Sequence, residues 1–236
     1  VPANLVHMAF EPLRKVADRG IPVYVVPGNH DVYVPMDWHA SLGLWGAYLA
    51  GDGAPPAEGF EVFPTVRRRG PVALVGLSTG VPKPPLLATG TLGEAQIVQT
   101  EQRLTELGRE GLCRVVLIHH PPLVTEPRFK RLTDAPAFQA MIRRAGCELI
   151  LHGHNHRSEV ARIGGPDGPV PVIGVTSASA APGSKYGRAR YHLVHVERDA
   201  KGWHLGIDIR ALCADGAGCE LDGRLVFRSA GSGGAS

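Results

Sequence analysis

Apolar positions along this chain recur at two periods, and the change between them divides it. Leu5, Val6, Ala9, Leu13 and Val16 stand at helical spacing and Gly20 follows as a stop, predicting an amphipathic helix over residues 4–19. Val23 to Val26 form a β-prone run that ends at Pro27-Gly28, the pattern of a buried strand emptying into a loop. Trp38, Leu42, Trp45 and Leu49 then predict a helix over 37–49, its aromatic stripe belonging to a core or a rim. After a Gly- and Pro-rich stretch at 51–59, residues 60–66 and 72–77 read as strands joined across Gly70-Pro71. Thr91 and Glu94 stand at capping-box spacing ahead of a helix that buries Ile97, Leu104 and Leu107 and ends near Gly108.

A second buried strand, Val115 to Ile118, runs into His119-His120-Pro121-Pro122. From about Asp134 a helix turns Phe138, Met141, Ile142 and Ala145 inward and closes at Gly146. The third buried strand, Glu148 to Leu151, opens into His152-Gly153-His154-Asn155-His156. Beyond it the segments 170–175, 191–196 and 203–209 are β-rich with no helix between them, so antiparallel pairing is expected. The Gly-Ser-Ala run from Ser229 to Ser236 predicts disorder. The expected organisation is one α/β domain over 1–212 and a partly disordered tail over 213–236.

Composition narrows this picture. With 236 residues, 44% of them hydrophobic, the chain can bury one substantial core, and its net charge of +3 is no field built for nucleic acid. Arg67, Arg68 and Arg69 read as a solvated strand end rather than a phosphate or membrane patch. The four cysteines are too few for a disulfide scaffold and form no CxxC pair, which suits a reducing, cytoplasmic setting with free thiols. No run approaches the roughly 20 apolar residues of a membrane span. The chain opens on Val1 rather than Met, which leaves room for a targeting segment upstream.

Three buried strands thus end in loops rich in His, Asn or Asp, and the carboxyl ends of strands are where sites assemble in α/β sheets. Each loop alone has a plain structural explanation: Gly28-Asn29-His30-Asp31 as a turn, His119-His120 as a strand stop. Three histidines within five residues, His152, His154 and His156, are harder to explain that way. In an extended loop His154 and His156 would point the same way, toward neighbouring metals. Imidazoles, an amide oxygen and carboxylates form a mixed nitrogen and oxygen set that suits Mn, Fe or Zn in a hydrolytic centre. Paired ions roughly 3.5–4 Å apart can activate a bridging water and clamp a phosphoryl group.

GNHD at 28–31, the strand ending in HHPP at 119–122 and GHNH at 153–156 resemble, in order and spacing, the later motifs of calcineurin-like metallophosphoesterases. The likeness runs through residue 212 and implies a metallophosphoesterase-like β-sandwich flanked by helices. It implies that Asn29, His119 and His154 bind a second metal and His156 a first, that His30 is the catalytic histidine beside the substrate phosphate, and that His120, Asp31 and His152 orient the ligands. His119 is preferred to His120 because the family's ligand directly follows the strand.

The family pattern opens with an Asp-x-His strand end and a Gly-Asp-x-x-Asp-like loop, and neither is in this chain, which starts where the next helix would begin. The resemblance therefore implies a fold lacking its N-terminal strand and metal-binding loop. It implies two divalent transition metals in the full-length protein, at most one in this chain, and weak turnover. Two functions follow: a metal-dependent phosphoester hydrolase of the phosphodiesterase or phosphatase class, or a non-catalytic binding or scaffold remnant of the same fold. The intact motif residues favour the hydrolase. HHPP in a small, bacterial-looking chain most resembles the cyclic-nucleotide phosphodiesterase branch. The candidate substrates are a cyclic nucleotide or a nucleotide-linked lipid, and the Pro82 to Leu87 loop and the Trp38/Trp45 segment are the candidate apolar surfaces for the latter.

Overall fold

The computed structural model describes residues 11–53, 59–180 and 183–230. Helix α1 runs through residue 17 from the first described residue; the part of the expected helix before 11 lies outside the described residues. Six strands form the larger sheet: β1 (Thr65–Arg69), β2 (Val72–Gly76), β3 (Cys113–Ile118), β4 (Leu149–His152), β5 (Glu159–Gly165) and β6 (Gly168–Gly174). Their order is β1-β2-β3-β4-β6-β5, with parallel pairing from β2 through β3 and β4 to β6 and antiparallel strands at both edges. A smaller antiparallel sheet follows, β7 (Arg190–Asp199), β8 (Gly202–Leu212) and β9 (Cys219–Ala230).

Period-2 alternation builds the layers. On β3, Val116 and Ile118 face α2 (Glu94–Arg109) and α3 (Ala135–Ala145), joining Leu104, Phe138 and Met141 in one core. Cys113 and Val115 face the other way and meet Trp203, Leu205 and Ile207 of the smaller sheet. The result is helices on one face of a mixed sheet and a second sheet on the other. The parallel strands, covered on both faces, read as continuous apolar runs, which is why the sequence displays them clearly.

Several expectations are corrected. Val23 to Val26 join no ladder: the Val23 carbonyl accepts from Arg67 Nη1 at 2.6 Å, the Val25 amide donates to Tyr48 at 3.0 Å, and the Tyr24 hydroxyl meets Thr65. Loop and side-chain partners take the place of strand neighbours here. Arg67 is accordingly buried rather than solvated, while Arg68 and Arg69 pair at the surface with Glu110 and Asp52. In place of a helix over 37–49 there is a 3-10 segment, Leu42–Tyr48, kinked at Gly46 with φ 50°; Trp38, Leu42 and Leu49 still pack inward. Residues 60–62 are a 3-10 turn rather than strand. Thr91 does not cap α2; the Asp134 carboxylate accepts the Leu92 and Gly93 amides instead, tying the starts of both helices together. Residues 219–230, assigned to the tail, form β9 and extend the smaller sheet, Ser229 and Ala230 included; residues 231–236 lie outside the described residues.

Candidate metal centre

The carboxyl ends of β3 and β4 deliver the first two loops. His119 follows Ile118 at the end of β3, and its ring fills the space that a Cβ at residue 28 would need, with ring atoms 2.7 Å from that position. Only glycine allows this approach, and it seats the Asn29–Asp31 turn directly against His119. The Gly28 amide donates to the Asp31 carboxylate at 2.7 Å, so Asp31 shapes the turn and points to no histidine of the cluster.

Asn29 is 2% exposed, and its Oδ1 lies 2.9 Å from His119 Nε2. His119 Nε2 in turn lies 3.2 Å from His154 Nδ1. His154 Nε2 is 2.9 Å from the Lys130 carbonyl, a bond that only an N–H can make, so Nδ1 presents a lone pair. Three electron-rich atoms therefore converge, and one proton on His119 Nε2 can serve only one of its two neighbours. Asn29 turns its Oδ1 toward His119, and its amide Nδ2 is buried without a partner among the described residues. Adjacent ligands about a dication with bonds of about 2.1 Å stand roughly 3 Å apart, so the donor set fits a divalent cation.

His120 is held differently. Its Nε2 donates to the Ala88 carbonyl at 3.0 Å, and its Nδ1 accepts from the Thr79 hydroxyl at 2.6 Å. Its ring nitrogens fall close enough to those of His119 and His154 to count as a three-histidine group, yet both are already engaged. His120 packs its ring against His154, with centroids 4.2 Å apart. Burial, then the neighbouring imidazoles, push His119 down to about 2. Burial likewise lowers His120 to about 3 and His154 to about 4. At neutral pH these rings are uncharged and their lone pairs meet no competing proton.

The loop after β4 is not extended. His154 and His156 both take positive φ, 64° and 54°, and between them the Asn155 amide closes on the Gly153 carbonyl at 2.7 Å. This left-handed backbone costs on the order of 1 kcal/mol per residue and needs an anchor. Asn155 supplies it: its Nδ2 donates to Glu126 at 3.0 Å and Glu159 at 2.9 Å, and its Oδ1 accepts from Lys130 Nζ at 2.8 Å. The turn sends His154 into the cluster and leaves His156 exposed against the Tyr186 ring, with centroids 5.2 Å apart. His30 is also exposed and stacks on Tyr33, while His30 and His156 are both near enough to contribute to the lowering of His119. His152 stays in the sheet beside Gly174, its Nε2 buried without a hydrogen bond and 4.0 Å from Glu159.

Of the residues singled out from sequence, Asn29, His119 and His154 come together, His120 packs behind them, His30 and His156 stand at the rim, and Asp31 and His152 face elsewhere. Sequence reasoning missed Thr79, Lys130 and Asn155. Thr79 lies just beyond β2, a fourth strand end whose position was the available signal. Lys130 holds His154 through its backbone, which no residue type announces. Asn155 lies inside the 153–156 motif, where its residue type alone assigns it no role.

Residues 4–158 match the calcineurin-like phosphoesterase family, a span that includes all three motif loops. A search of curated proteins finds no match. Among solved structures the chain is similar to GAP50, the anchor in the inner membrane complex of Plasmodium, with a TM-score of 0.37 and 11% identity over 70% of this chain and 52% of that one. It is also similar to Vps29 from Entamoeba histolytica in a double-mutant form, with a TM-score of 0.26 and 20% identity over 56% of this chain and 77% of that one. A single-mutant form gives 0.27 and 16%, over 56% and 89%. The chain spans about half the length of the Plasmodium protein.

Proposed function

Since the chain belongs to the calcineurin-like phosphoesterase family, we propose that it is a metal-dependent phosphoester hydrolase whose cation is held by Asn29 Oδ1, His119 Nε2 and His154 Nδ1. The convergence of three such atoms with a single proton to share among them carries this reading. A bound Mn, Fe or Zn ion supplies Lewis acidity toward a phosphoryl oxygen and an acidified water. The chain's own residues do the rest. Lys130 and Asn155 fix the tautomer and direction of His154, and His120 walls the cluster from behind. His30, exposed on the turn that carries Asn29, stands beside the substrate phosphate and gives a proton to the leaving oxygen.

His156, exposed at the rim, is assigned to a second cation. That ion also needs carboxylates, and among the described residues the cluster's donors are neutral. The binuclear form therefore depends on acidic groups from outside this cluster. The substrate is a small-molecule phosphoester, with a cyclic nucleotide and a nucleotide-linked lipid as the candidates. Among the described residues no helix is long and apolar enough to cross a membrane, and four free cysteines suit a reducing, cytoplasmic compartment.

Metal analysis after dialysis against Mn²⁺, paired with hydrolysis of bis(p-nitrophenyl) phosphate, tests the proposal. The expected result is a bound equivalent that His154→Ala removes and a hydrolysis that chelation abolishes. Metal retained by His154→Ala would overturn the site. Tight metal binding with no hydrolysis would favour the non-catalytic scaffold.

A further inference from the structure

The loops around the histidine cluster are stitched into one rim. The Lys83 amide donates to the Tyr33 carbonyl at 3.3 Å, and the Leu86 amide to the Tyr33 hydroxyl at 3.0 Å. The Ala88 amide donates to the Phe129 carbonyl at 2.9 Å, and the Ala88 carbonyl holds His120. Tyr33 and Tyr186 touch His30 and His156, so the rim is continuous with the site.

This rim is both apolar and cationic. Leu86 is 91% exposed at φ 72°, a strained backbone holding a leucine out in solvent, where it has almost nothing to pack on. Phe129 and Val124 are more than half exposed on the facing loop. Lys83, Arg128 and Arg131 lie on the same two loops, Lys185 stands over the Tyr186 ring beside His156, and none of the four forms an ion pair with a described residue. On the smaller sheet, which also exposes apolar side chains, most of the cations at the exposed edge are matched: Arg188 and Arg190 pair with Asp222, and Arg224 with Asp208. Unmatched cations beside unmatched apolar side chains are complementary to an anion that carries a hydrocarbon chain. A nucleobase fits less well, because residues 82–90 and 124–131 contain no Asn or Gln to meet its polar edge, and the rim's most exposed group is aliphatic.

Resting on the phosphoester reading above, we propose that the substrate is amphiphilic: its phosphate meets the histidine cluster and its single alkyl chain lies along Leu86 and Phe129. The test titrates the Mn²⁺-loaded protein calorimetrically with inorganic, ethyl and octyl phosphate below the micellar range. Octyl phosphate should bind about tenfold more tightly than ethyl phosphate, since six further methylenes are partly removed from water. In a Leu86→Ser, Phe129→Ser variant that ratio should fall toward one, and Lys83→Glu with Arg128→Glu should weaken both ligands. Equal affinity for the two esters in the wild-type protein, or an unchanged ratio in the serine variant, would overturn the proposal while leaving the hydrolase reading intact if inorganic phosphate still binds. Failure to bind inorganic phosphate would remove both. Adhesion to anionic phosphatidylglycerol vesicles without preference for octyl phosphate would overturn it in favour of a membrane-facing surface.

Discussion

Strands β3 and β4 bury a polar cluster at each of their ends, and the two clusters are finished differently. At the amino end Arg114 donates to Glu148 at 2.7 and 3.1 Å and to the Leu104 and Ala145 carbonyls at 3.1 and 2.7 Å, tying both helices to the sheet. Charge meets charge there and the guanidinium has partners on every nitrogen. At the carboxyl end Asn29, His119 and His154 turn acceptors toward one another, the Asn29 amide nitrogen has no partner, and two residues hold left-handed backbone. One pair of strands thus carries a self-sufficient structural cluster and a histidine cluster that could hold a cation. A buried polar group with all its partners points to architecture; a convergence of lone pairs points to a ligand.

Breaking the amino-end cluster should have the largest effect. Glu148→Ala strands a buried guanidinium and should cost about 3–5 kcal/mol in urea unfolding, while an Arg114→Met, Glu148→Leu pair should recover most of that. Neither change should alter the metal stoichiometry of the folded fraction. At the carboxyl end the stabilisation is conditional: Mn²⁺ at a hundredfold over its Kd should add about 2.7 kcal/mol to the wild type and nothing to His154→Ala, read as a shift in Tm.

Acid should separate the two ends further. His119, His120, His152 and His154 are held below their ordinary range by burial, so the folded chain binds fewer protons than the unfolded one. Stability should therefore be intact above about pH 6.5 and fall as pH drops below it, by up to about 1.4 kcal/mol per unit for each histidine, until the folded value is reached, about 4 for His154. His120→Gln, which removes one titrating ring, should flatten that slope in pH-dependent denaturation. The smallest effect belongs to the rim: Leu86→Gly relieves a left-handed leucine and should stabilise the protein by about 0.5–1 kcal/mol.

The His119 and His154 loops were legible because each follows a short run of apolar residues in a covered parallel strand, where strand assignment is least ambiguous, whereas the Asn29 loop was found although the run before it, Val23 to Val26, forms no strand. The amino-end cluster was not: Arg114 and Glu148 look like surface residues until the helices cover them. The Trp38/Trp45 spacing matched a helix, yet Gly46 breaks it and a 3-10 segment buries the same residues. β9 carried a readable signal, with Leu221, Leu225 and Phe227 two or four residues apart and Asp222, Arg224 and Arg228 on the alternate positions, which the Gly- and Ser-rich end of the chain obscured. The loop at 153–156 was legible in composition but not in shape, since its left-handed turns depend on Glu126 and Lys130, more than twenty residues away.

Titration with Co²⁺, followed by its visible ligand-field bands, tests the cation site most directly. The wild type should saturate at one equivalent with bands of mixed nitrogen and oxygen ligation, and His119→Ala and His154→Ala should each abolish them, whereas Arg114→Met, Glu148→Leu should reproduce the wild-type spectrum. Bands that persist in both histidine variants, or a wild type that develops none, would contradict the account.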